Sequence, residues 1–205
     1  MKTPMKSRLE PRWVIASSNP GKISEITQVL GSDFHVTCLS LKQVRFRGAP
    51  PEESGKTYRE NARLKAYFYA KTMEYPVLAD DSGLEVKALG AWPGLKSARI
   101  GNNDAERRQV LLRTLHEKLG EQSSYQAQFV CALAFYEKGM LQEFEGVCKG
   151  EIRPNARGQN GFGYDPIFYL KSGRSMAELS PDEKNQCSHR AVVLKKLRDW
   201  YLSFA

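Results

Sequence analysis

The sequence predicts an α/β fold, with a mixed β-sheet flanked by helices in one domain of 205 residues. Near the start, Trp13 to Ala16 is apolar like a strand, and apolar residues then recur at helical spacing from Ile23 to Leu30. Farther along, Tyr125 to Tyr136 alternates between two largely apolar faces, which is typical of a central strand. Glu137-Lys138-Gly139 turns it into a partner strand, Leu141 to Lys149. Strand–helix–strand units favour parallel pairs and a hairpin favours an antiparallel pair, so both are expected in the sheet.

The composition is that of an ordinary globular protein, with 41% hydrophobic and 26% charged residues. No apolar run approaches the roughly 20 residues of a membrane helix, and the apolar segment after the basic start is too short for a signal peptide. We expect residues 1–11 to form a basic tail that is disordered or lightly docked. Four widely spaced cysteines without a CxxC pair fit a reduced, cytoplasmic setting. The net charge of +8 favours anionic partners, whether nucleotides, phosphate or nucleic acid.

The turn after the first strand has the outline of an anion site. Asn19 is a good N-cap, and Pro20 suits the first helical position because its missing N–H would be unpaired there. The segment Ser17 to Lys22 thus places free backbone N–H groups, two hydroxyl groups and a lysine at a helix N-terminus. It is not a P-loop, because Ile23 follows the lysine and the GxxxxGK spacing is absent. A plain strand-to-helix connection is the alternative interpretation.

The next elements are a predicted strand, Phe34 to Leu39, and a polar loop that carries Glu52-Glu53. Thr57 and Glu60 then have the spacing of a capping box, and we expect the helix that they open to run to about Met73.

Two adjacent carboxylates follow Val77-Leu78-Ala79, an apolar run that we interpret as the end of a buried strand. Asp80 and Asp81, with Ser82 and Gly83, are expected to enter a turn. Successive strand residues face opposite ways, so only one of the two aspartates points readily into a given cleft. Carboxylates at a strand end suit Mg²⁺, which prefers oxygen ligands. The same four residues are also ordinary turn formers, which is the alternative.

Right-handed parallel units place strand ends and helix starts at the same edge of a sheet. The Ser17 to Lys22 turn, Glu52-Glu53 and Asp80-Asp81 are therefore expected to meet there. Carboxylates beside an anion-binding turn indicate a metal-bound phosphate ligand. Lys65 shares a helix face with Asn61, but it fits this edge less well, because it lies about 12 Å along its helix.

The second half of the chain adds further predicted helices. Asn103 and Glu106 have cap spacing before a helix that Gly120 closes. Ser180 to Glu183 has the form of another capping box, and an amphipathic helix is expected from Arg190 onward.

A glycine-rich loop, Gly158 to Gly163, continues into Tyr164 and Asp165. Its aromatic residues, Phe162 and Tyr164, could stack a nucleotide base.

Seven sequence blocks, taken in order, resemble the inosine triphosphate pyrophosphatase family. They are Ser17-x-Asn19-x-x-Lys22, Glu52-Glu53, Glu60-Asn61-Ala62-x-x-Lys65-Ala66, Asp80-Asp81-Ser82-Gly83-Leu84, Pro93-Gly94-x-x-Ser97-Ala98-Arg99, Phe162-Gly163-Tyr164-Asp165-Pro166 and Ser188-His189-Arg190. The blocks cover most of the chain, and the ordered set is far more specific than any single block.

The resemblance implies an elongated mixed β-sheet with two lobes around a central cleft, usually in a homodimer. It also implies Mg²⁺-dependent hydrolysis of the non-standard purine nucleoside triphosphates ITP, dITP and XTP to the monophosphate and pyrophosphate. No membrane partner and no stable nucleic-acid partner are expected.

Residue by residue, the resemblance implies a triphosphate site, a base site and a metal site. The substrate-binding residues are Ser17, Ser18, Asn19, Pro20, Gly21, Lys22, Lys65, Ser82, Phe162, Gly163, Tyr164, Asp165, Lys184, His189 and Arg190. Asp81 is similar to the general base of the family, with Asp80 assisting, and Mg²⁺ is expected on Asp81 with Glu52 or Glu53. Without their neighbours, Lys184 and Arg190 could be surface charges, and His189 a residue that begins a helix.

Two other functions stay open at this point. A pyrophosphatase for standard or pyrimidine triphosphates would keep the metal site and change the base pocket. A basic nucleic-acid-binding module fits the charge, but its aromatic and basic residues should interleave along one strand, which they do not. The preference among ITP, dITP and XTP is not fixed by these residues.

Overall fold

The computed structural model describes residues 11–34 and 36–204, so most of the predicted basic tail lies outside the described residues. The strands are β1 Arg12–Ile15, β2 Thr37–Ser40, β3 Val77–Val86, β4 Tyr125–Glu137, β5 Met140–Ile152 and β6 Phe168–Tyr169. The helices are α1 Pro20–Phe34, α2 Tyr58–Ala70, α3 Asp104–Leu119, α4 Pro181–Cys187 and α5 His189–Leu202.

The strands form one six-stranded mixed sheet in the order β2-β1-β3-β4-β5-β6. β1 runs parallel to both β2 and β3, whereas β3, β4, β5 and β6 pair antiparallel. β1 pairs with β3 only over Val14↔Val77 and Ile15↔Leu78, after which β3 continues beside β4 alone. The α/β class and the mixed sheet are thus confirmed.

The hydrophobic core is divided along this sheet. Around β1, α1 and α5 cover one face with residues such as Ile26 and Leu194, and α2 covers the other face with Ala62. A separate cluster lies farther along β3 and β4, where Leu111 of α3 packs near Phe168. β4 takes part in all of these clusters, which confirms the prediction that both of its faces are buried.

Two local predictions are wrong. β3 does not end at Ala79, because Asp80 and Asp81 pair with Leu133 and Ala132 of β4 within an uninterrupted ladder. A long complementary strand therefore overrides the turn preference of these residues. Phe34 belongs to the last turn of α1 and packs edge-on against Trp13, so β2 begins later than predicted.

The predicted helix starts are confirmed at several caps. Asn19 Oδ1 accepts from the Lys22 N–H at 3.1 Å, and Thr57 Oγ1 accepts from the Glu60 N–H at 3.1 Å. The reciprocal bond of a capping box forms at Ser180, whereas the Glu60 carboxylate accepts from the Lys56 N–H instead. α2 ends at Ala70, slightly before the predicted end.

Candidate active site

A cleft of about 610 Å³ lies between the core around β1 and the separate cluster farther along β3 and β4. It brings together residues from distant parts of the chain. The predicted site residues that line it are Ser17, Ser18, Asn19, Lys22, Glu52, Glu53, Lys65, Asp81, Ser82, Phe162, Gly163, Tyr164, Asp165, Lys184, His189 and Arg190. The predicted residues that do not line it are Pro20, Gly21 and Asp80.

The cleft exists because β1 ends before β3 does. After Ile15 the chain leaves the sheet through the Ser17 to Lys22 turn, while β3 continues and exposes one edge beside that turn. The turn is closed by its own side chains, since Ser17 Oγ accepts from the Asn19 N–H at 3.2 Å. The predicted meeting of this turn with Glu52-Glu53 in one cleft is thus observed for Asp81, whereas Asp80 does not line the cleft.

The alternation of β3 gives Asp81 and Asp80 different surroundings. Asp81 lines the cleft, where its Oδ2 accepts from Asn61 Nδ2 at 3.0 Å and its Oδ1 lies 3.6 Å from Lys65 Nζ. Burial raises the pKa of Asp81, although the charge of Lys65 opposes this shift. A carboxylate with a raised pKa and access to a cleft is suited to accept a proton.

Asp80 instead holds two cations inside the protein. Its Oδ2 lies 3.0 Å from Lys22 Nζ and 3.3 Å from Arg190 Nη2. Burial opposes its ionisation, but the charges of Lys22 and Arg190 outweigh that cost and lower the pKa of Asp80 well below its usual range. Asp80 therefore stays ionised and positions these two side chains.

Lys65 lies in the cleft, so the expectation that it fits this edge poorly is wrong. Helical side chains lean toward the helix N-terminus, and Lys65 follows Asn61 by one turn on the face that packs on β3. Lys65 Nζ donates to Glu53 Oε1 at 2.7 Å. Burial opposes its charge, but Asp80, Asp81 and Glu53 raise the pKa of Lys65, which stays protonated.

The loop that carries Phe162 and Gly163 is contacted by α1 on one side and by α3 on the other. Phe162 lies against Gly21, where an added Cβ would come within 2.4 Å of the ring, so Gly21 supports the aromatic residue rather than lining the cleft. From α3, Asp104 Oδ2 accepts from the Gly163 N–H at 2.7 Å, and Arg108 donates to the Gly163 carbonyl at 2.6 Å.

Tyr164 is more buried than a base-stacking residue would be. Its hydroxyl donates to the Ser97 carbonyl at 2.7 Å, and its ring packs in the cluster around Leu111 and Phe168. Its contribution to the cleft is therefore a wall rather than an open ring face.

A buried ionic network lies beneath Phe162. Lys184 Nζ contacts Asp165 Oδ2 at 2.5 Å and Glu25 Oε1 at 2.6 Å, and it lies 4.9 Å from the centroid of the Phe162 ring. Arg190 pairs with Glu25 as well, and its Nη2 donates to Ser82 Oγ at 3.1 Å. Both terminal nitrogens of Arg190 are thus engaged by protein groups.

His189 lies at the corner between α4 and α5, which Ser188 forms by capping the second helix. The imidazole stacks on Phe129 with ring centroids 4.8 Å apart, and its Nδ1 is buried without a hydrogen-bond partner among the described residues. Burial lowers the pKa of His189 well below its usual value, so the ring is neutral. A neutral imidazole offers one donor and one acceptor to a ligand.

Sequence reasoning missed Glu25, Arg99 and the contacts that α3 makes with the loop. Glu25 is one of several polar residues on α1, and its partners Lys184 and Arg190 lie at the opposite end of the chain. Arg99 belongs to one of the seven sequence blocks, but the sequence gives it no role in the site. No local pattern marks such residues, because their roles come from tertiary contacts.

Comparison with known proteins places this architecture in a family. The model of the Ham1 family matches residues 13–200. The chain belongs to the Ham1 family. Among Ham1 relatives, the dITP/XTP pyrophosphatase of Thermus thermophilus is 42% identical over 192 residues, which are 92% of this chain and 90% of the relative. The dITP/XTP pyrophosphatase of Staphylococcus aureus is 44% identical over 187 residues, 90% of this chain and 93% of the relative.

Solved Ham1 structures share the fold. The HAM1 protein from Coxiella burnetii superposes with a TM-score of 0.81 and 39% identity, covering 95% of this chain and 100% of that one. The Ham1 protein of Staphylococcus aureus gives a TM-score of 0.79 with 36% identity over the same shares. The match to the Ham1 family and the relatives named dITP/XTP pyrophosphatase together confirm the family that the seven sequence blocks predict. In the described part of this Ham1 chain, no helix has the length and apolar character needed to cross a membrane.

Proposed function

We propose that this chain hydrolyses ITP, dITP and XTP to the nucleoside monophosphate and pyrophosphate. The observation that carries the proposal is the cleft in which Asp81 and Glu53 lie beside the Ser17 to Lys22 turn and Lys65. The Ham1-family relatives named dITP/XTP pyrophosphatase, which align over about nine-tenths of this chain, support the same reaction.

The phosphate end of the cleft supplies positive charge and N–H groups. The turn at the N-terminus of α1 favours anions, and Lys22 and Lys65 bring two lysine side chains to the same place. Attack on the α-phosphorus with pyrophosphate leaving needs a positioned water and neutralisation of growing negative charge, which these groups provide.

The carboxylates fit a Mg²⁺ ion. Asp81 and Glu53 both approach the Lys65 ammonium group, so the positive charge of this lysine already lies between the two carboxylates. No cluster of three or more ligand-type side chains suited to a metal occurs within residues 11–34 and 36–204. Mg²⁺ typically uses one or two carboxylates together with substrate phosphates and water, and Glu52 lines the same cleft as a further candidate. When bound, the ion would neutralise phosphate charge and help to orient the attacking water.

Asp81 is the residue that we assign to the water. It faces the cleft, its pKa is raised, and Asn61 fixes one of its oxygens. In this proposal Asp81 takes the proton of the attacking water. Asp80 acts indirectly, by keeping Lys22 and Arg190 in place.

Base recognition is assigned to the end of the cleft beneath the Phe162 ring. Lys184 has three N–H donors: Asp165 Oδ2 accepts one, and Glu25 Oε1 lies 2.6 Å from the ammonium group as an ion-pair partner. The remaining donor can reach the six-carbonyl of hypoxanthine or xanthine, where adenine has an amino group. Arg190 is buried and contacts Glu25, Asp80 and Ser82, so we assign it to positioning this network rather than to reading the base.

The proposal includes a homodimer in a cytoplasmic setting. All four cysteines are free thiols, which suits a reducing compartment.

A nucleotide panel tests the reaction. The protein is incubated with ITP, dITP, XTP, ATP, GTP and pyrimidine triphosphates, with Mg²⁺ or with EDTA, and the products are identified. We expect IMP and pyrophosphate from ITP, and no turnover in EDTA. Release of IDP and orthophosphate would rule out attack at the α-phosphorus. Preferential turnover of ATP or CTP would favour the alternative function, a pyrophosphatase for standard or pyrimidine triphosphates.

A further inference from the structure

Arg99 lies at the exposed rim of the cleft and contacts the carboxylate of Glu53. Its Nη2 donates to Glu53 Oε2 at 2.5 Å, while Lys65 Nζ donates to Glu53 Oε1 at 2.7 Å. Both oxygens of this carboxylate are therefore engaged by cations, so a divalent ion that binds Glu53 competes with Lys65 and Arg99 for its negative charge.

The chain places Arg99 there by a specific local arrangement. The segment from Gly94 to Ser97 lies directly on β3 at Gly83, where an added Cβ would come within 2.4 Å of the Gly94 carbonyl oxygen. Ser97 Oγ accepts from the Leu84 N–H at 2.9 Å and donates to Gly94 O at 2.6 Å. Arg99 follows two residues later, and its backbone N–H donates to the Lys96 carbonyl at 2.7 Å, which ties its backbone to this segment.

The two cations on Glu53 differ in how easily they can leave it. The Lys65 side chain is only 12% exposed and also lies beside Asp81. The Arg99 side chain is 53% exposed, and among the described residues Glu53 is the one carboxylate within 4 Å of it. Water can hydrate a released guanidinium at the rim, so separating Arg99 costs less than separating Lys65.

A released Arg99 would remain in the cleft with the phosphate-binding turn, since both line it. The planar guanidinium matches two phosphate oxygens at once, which makes arginine a common ligand of phosphate groups. One side chain can therefore serve two partners in turn.

We propose that Arg99 exchanges Glu53 for a phosphate group of the substrate when the divalent cation binds. Without nucleotide, Arg99 competes with the cation for Glu53; with nucleotide, it contacts the triphosphate. The inference rests on the proposed function for the identity of the anion.

The test uses binding measurements that do not depend on turnover. Mn²⁺ binding without nucleotide is followed by electron paramagnetic resonance, and binding of inorganic tripolyphosphate at saturating Mg²⁺ is followed by calorimetry. The variants are Arg99→Ala and Arg99→Lys. Arg113→Ala is the matched control, because Arg113 is an exposed arginine of α3 whose nearest carboxylate, on Glu117, is 3.9 Å away.

Arg99→Ala should change the two affinities in opposite directions. We expect Mn²⁺ to bind about 2- to 5-fold more tightly, because a partly exposed competing ion pair is lost. Tripolyphosphate should bind about 10- to 100-fold more weakly, because a charge-assisted contact is lost. Arg99→Lys should keep the Mn²⁺ affinity near wild type and lose part of the tripolyphosphate affinity.

Any other pattern overturns the exchange. Weaker binding of both ligands would make Arg99 a support for Glu53, and changes no larger than those of Arg113→Ala would make it a surface charge. Tighter Mn²⁺ binding with unchanged tripolyphosphate binding would remove the phosphate contact. If wild-type protein fails to convert ITP to IMP and pyrophosphate, the proposed function fails, while these binding results still decide the role of Arg99.

Discussion

Replacing Asp81 by asparagine separates the chemistry of this residue from its place in the fold. The asparagine oxygen can still accept from Asn61 Nδ2, which donates to Asp81 at 3.0 Å in the wild-type protein. The variant cannot take a proton from water, and it offers no negative charge to Lys65 or to a metal ion. Loss of general-base action typically costs 10² to 10⁴ in rate, so kcat for ITP should fall by about that factor.

Stability should respond differently at Asp81 and Asp80. The fold disfavours the charge of Asp81, since burial raises its pKa, so Asp81→Asn should keep or raise the Tm at pH 7. The fold favours the charge of Asp80, since Lys22 and Arg190 outweigh burial and lower its pKa. Asp80→Asn would leave two cations short of a partner, which costs about 3–5 kcal/mol. For a chain of this size that loss lowers the Tm by roughly 6–20 °C.

The assay compares both variants with wild type under identical conditions. Pyrophosphate release at saturating ITP gives kcat, and thermal denaturation gives the Tm. The reasoning is refuted if the two variants lose equal activity, or if Asp81→Asn unfolds early while Asp80→Asn does not.

Three further outcomes are expected. In Gly21→Ala the new methyl group must displace the Phe162 ring. Steady-state assays should then show the KM for ITP raised roughly tenfold, with kcat nearly unchanged. An unchanged KM would show that the Phe162 ring does not contribute to binding of the base. Arg108→Ala removes the 2.6 Å bond to the Gly163 carbonyl, and the KM for ITP should rise about fivefold; a fall in kcat alone would contradict a role in holding the loop. For His189, burial lowers the pKa in the folded state, so below about pH 6.5 only the unfolded chain binds the proton and stability falls as the pH drops. Urea denaturation between pH 7 and pH 5 should show a slope of up to about 1.4 kcal/mol per pH unit, and His189→Phe should flatten it; a slope that persists in the variant would place the titration elsewhere.

Features set by a few neighbouring residues could be predicted from the sequence. The cap at Asn19 and the double-sided burial of β4 follow from local hydrogen bonding and from the two-residue repeat of a strand. The meeting of the Ser17 to Lys22 turn with Asp81 follows from the handedness of strand–helix–strand units. These predictions needed no knowledge of distant contacts.

Features set by distant partners could not be predicted in the same way. Asp80 and Asp81 look like turn residues until β4, about fifty residues later, supplies a strand that pairs with them. The position of the Lys65 ammonium group depends on how α2 lies on β3 and on the direction of its side chain. Glu25 gains its importance only when Lys184 and Arg190 fold against α1.

The continuity of β3 and β4 has a mechanical consequence. Their ladder runs without a break from the pair Val77↔Tyr136 to the pair Val86↔Ala127. It therefore passes both the core around β1 and the separate cluster farther along β3 and β4. A loop between separate domains permits rigid rotation about a few bonds, but a shared ladder requires many hydrogen-bonded pairs to twist together. A motion that bends this ladder therefore moves many paired residues together, and substitutions along it can shift the β3 side of the cleft without touching a ligand.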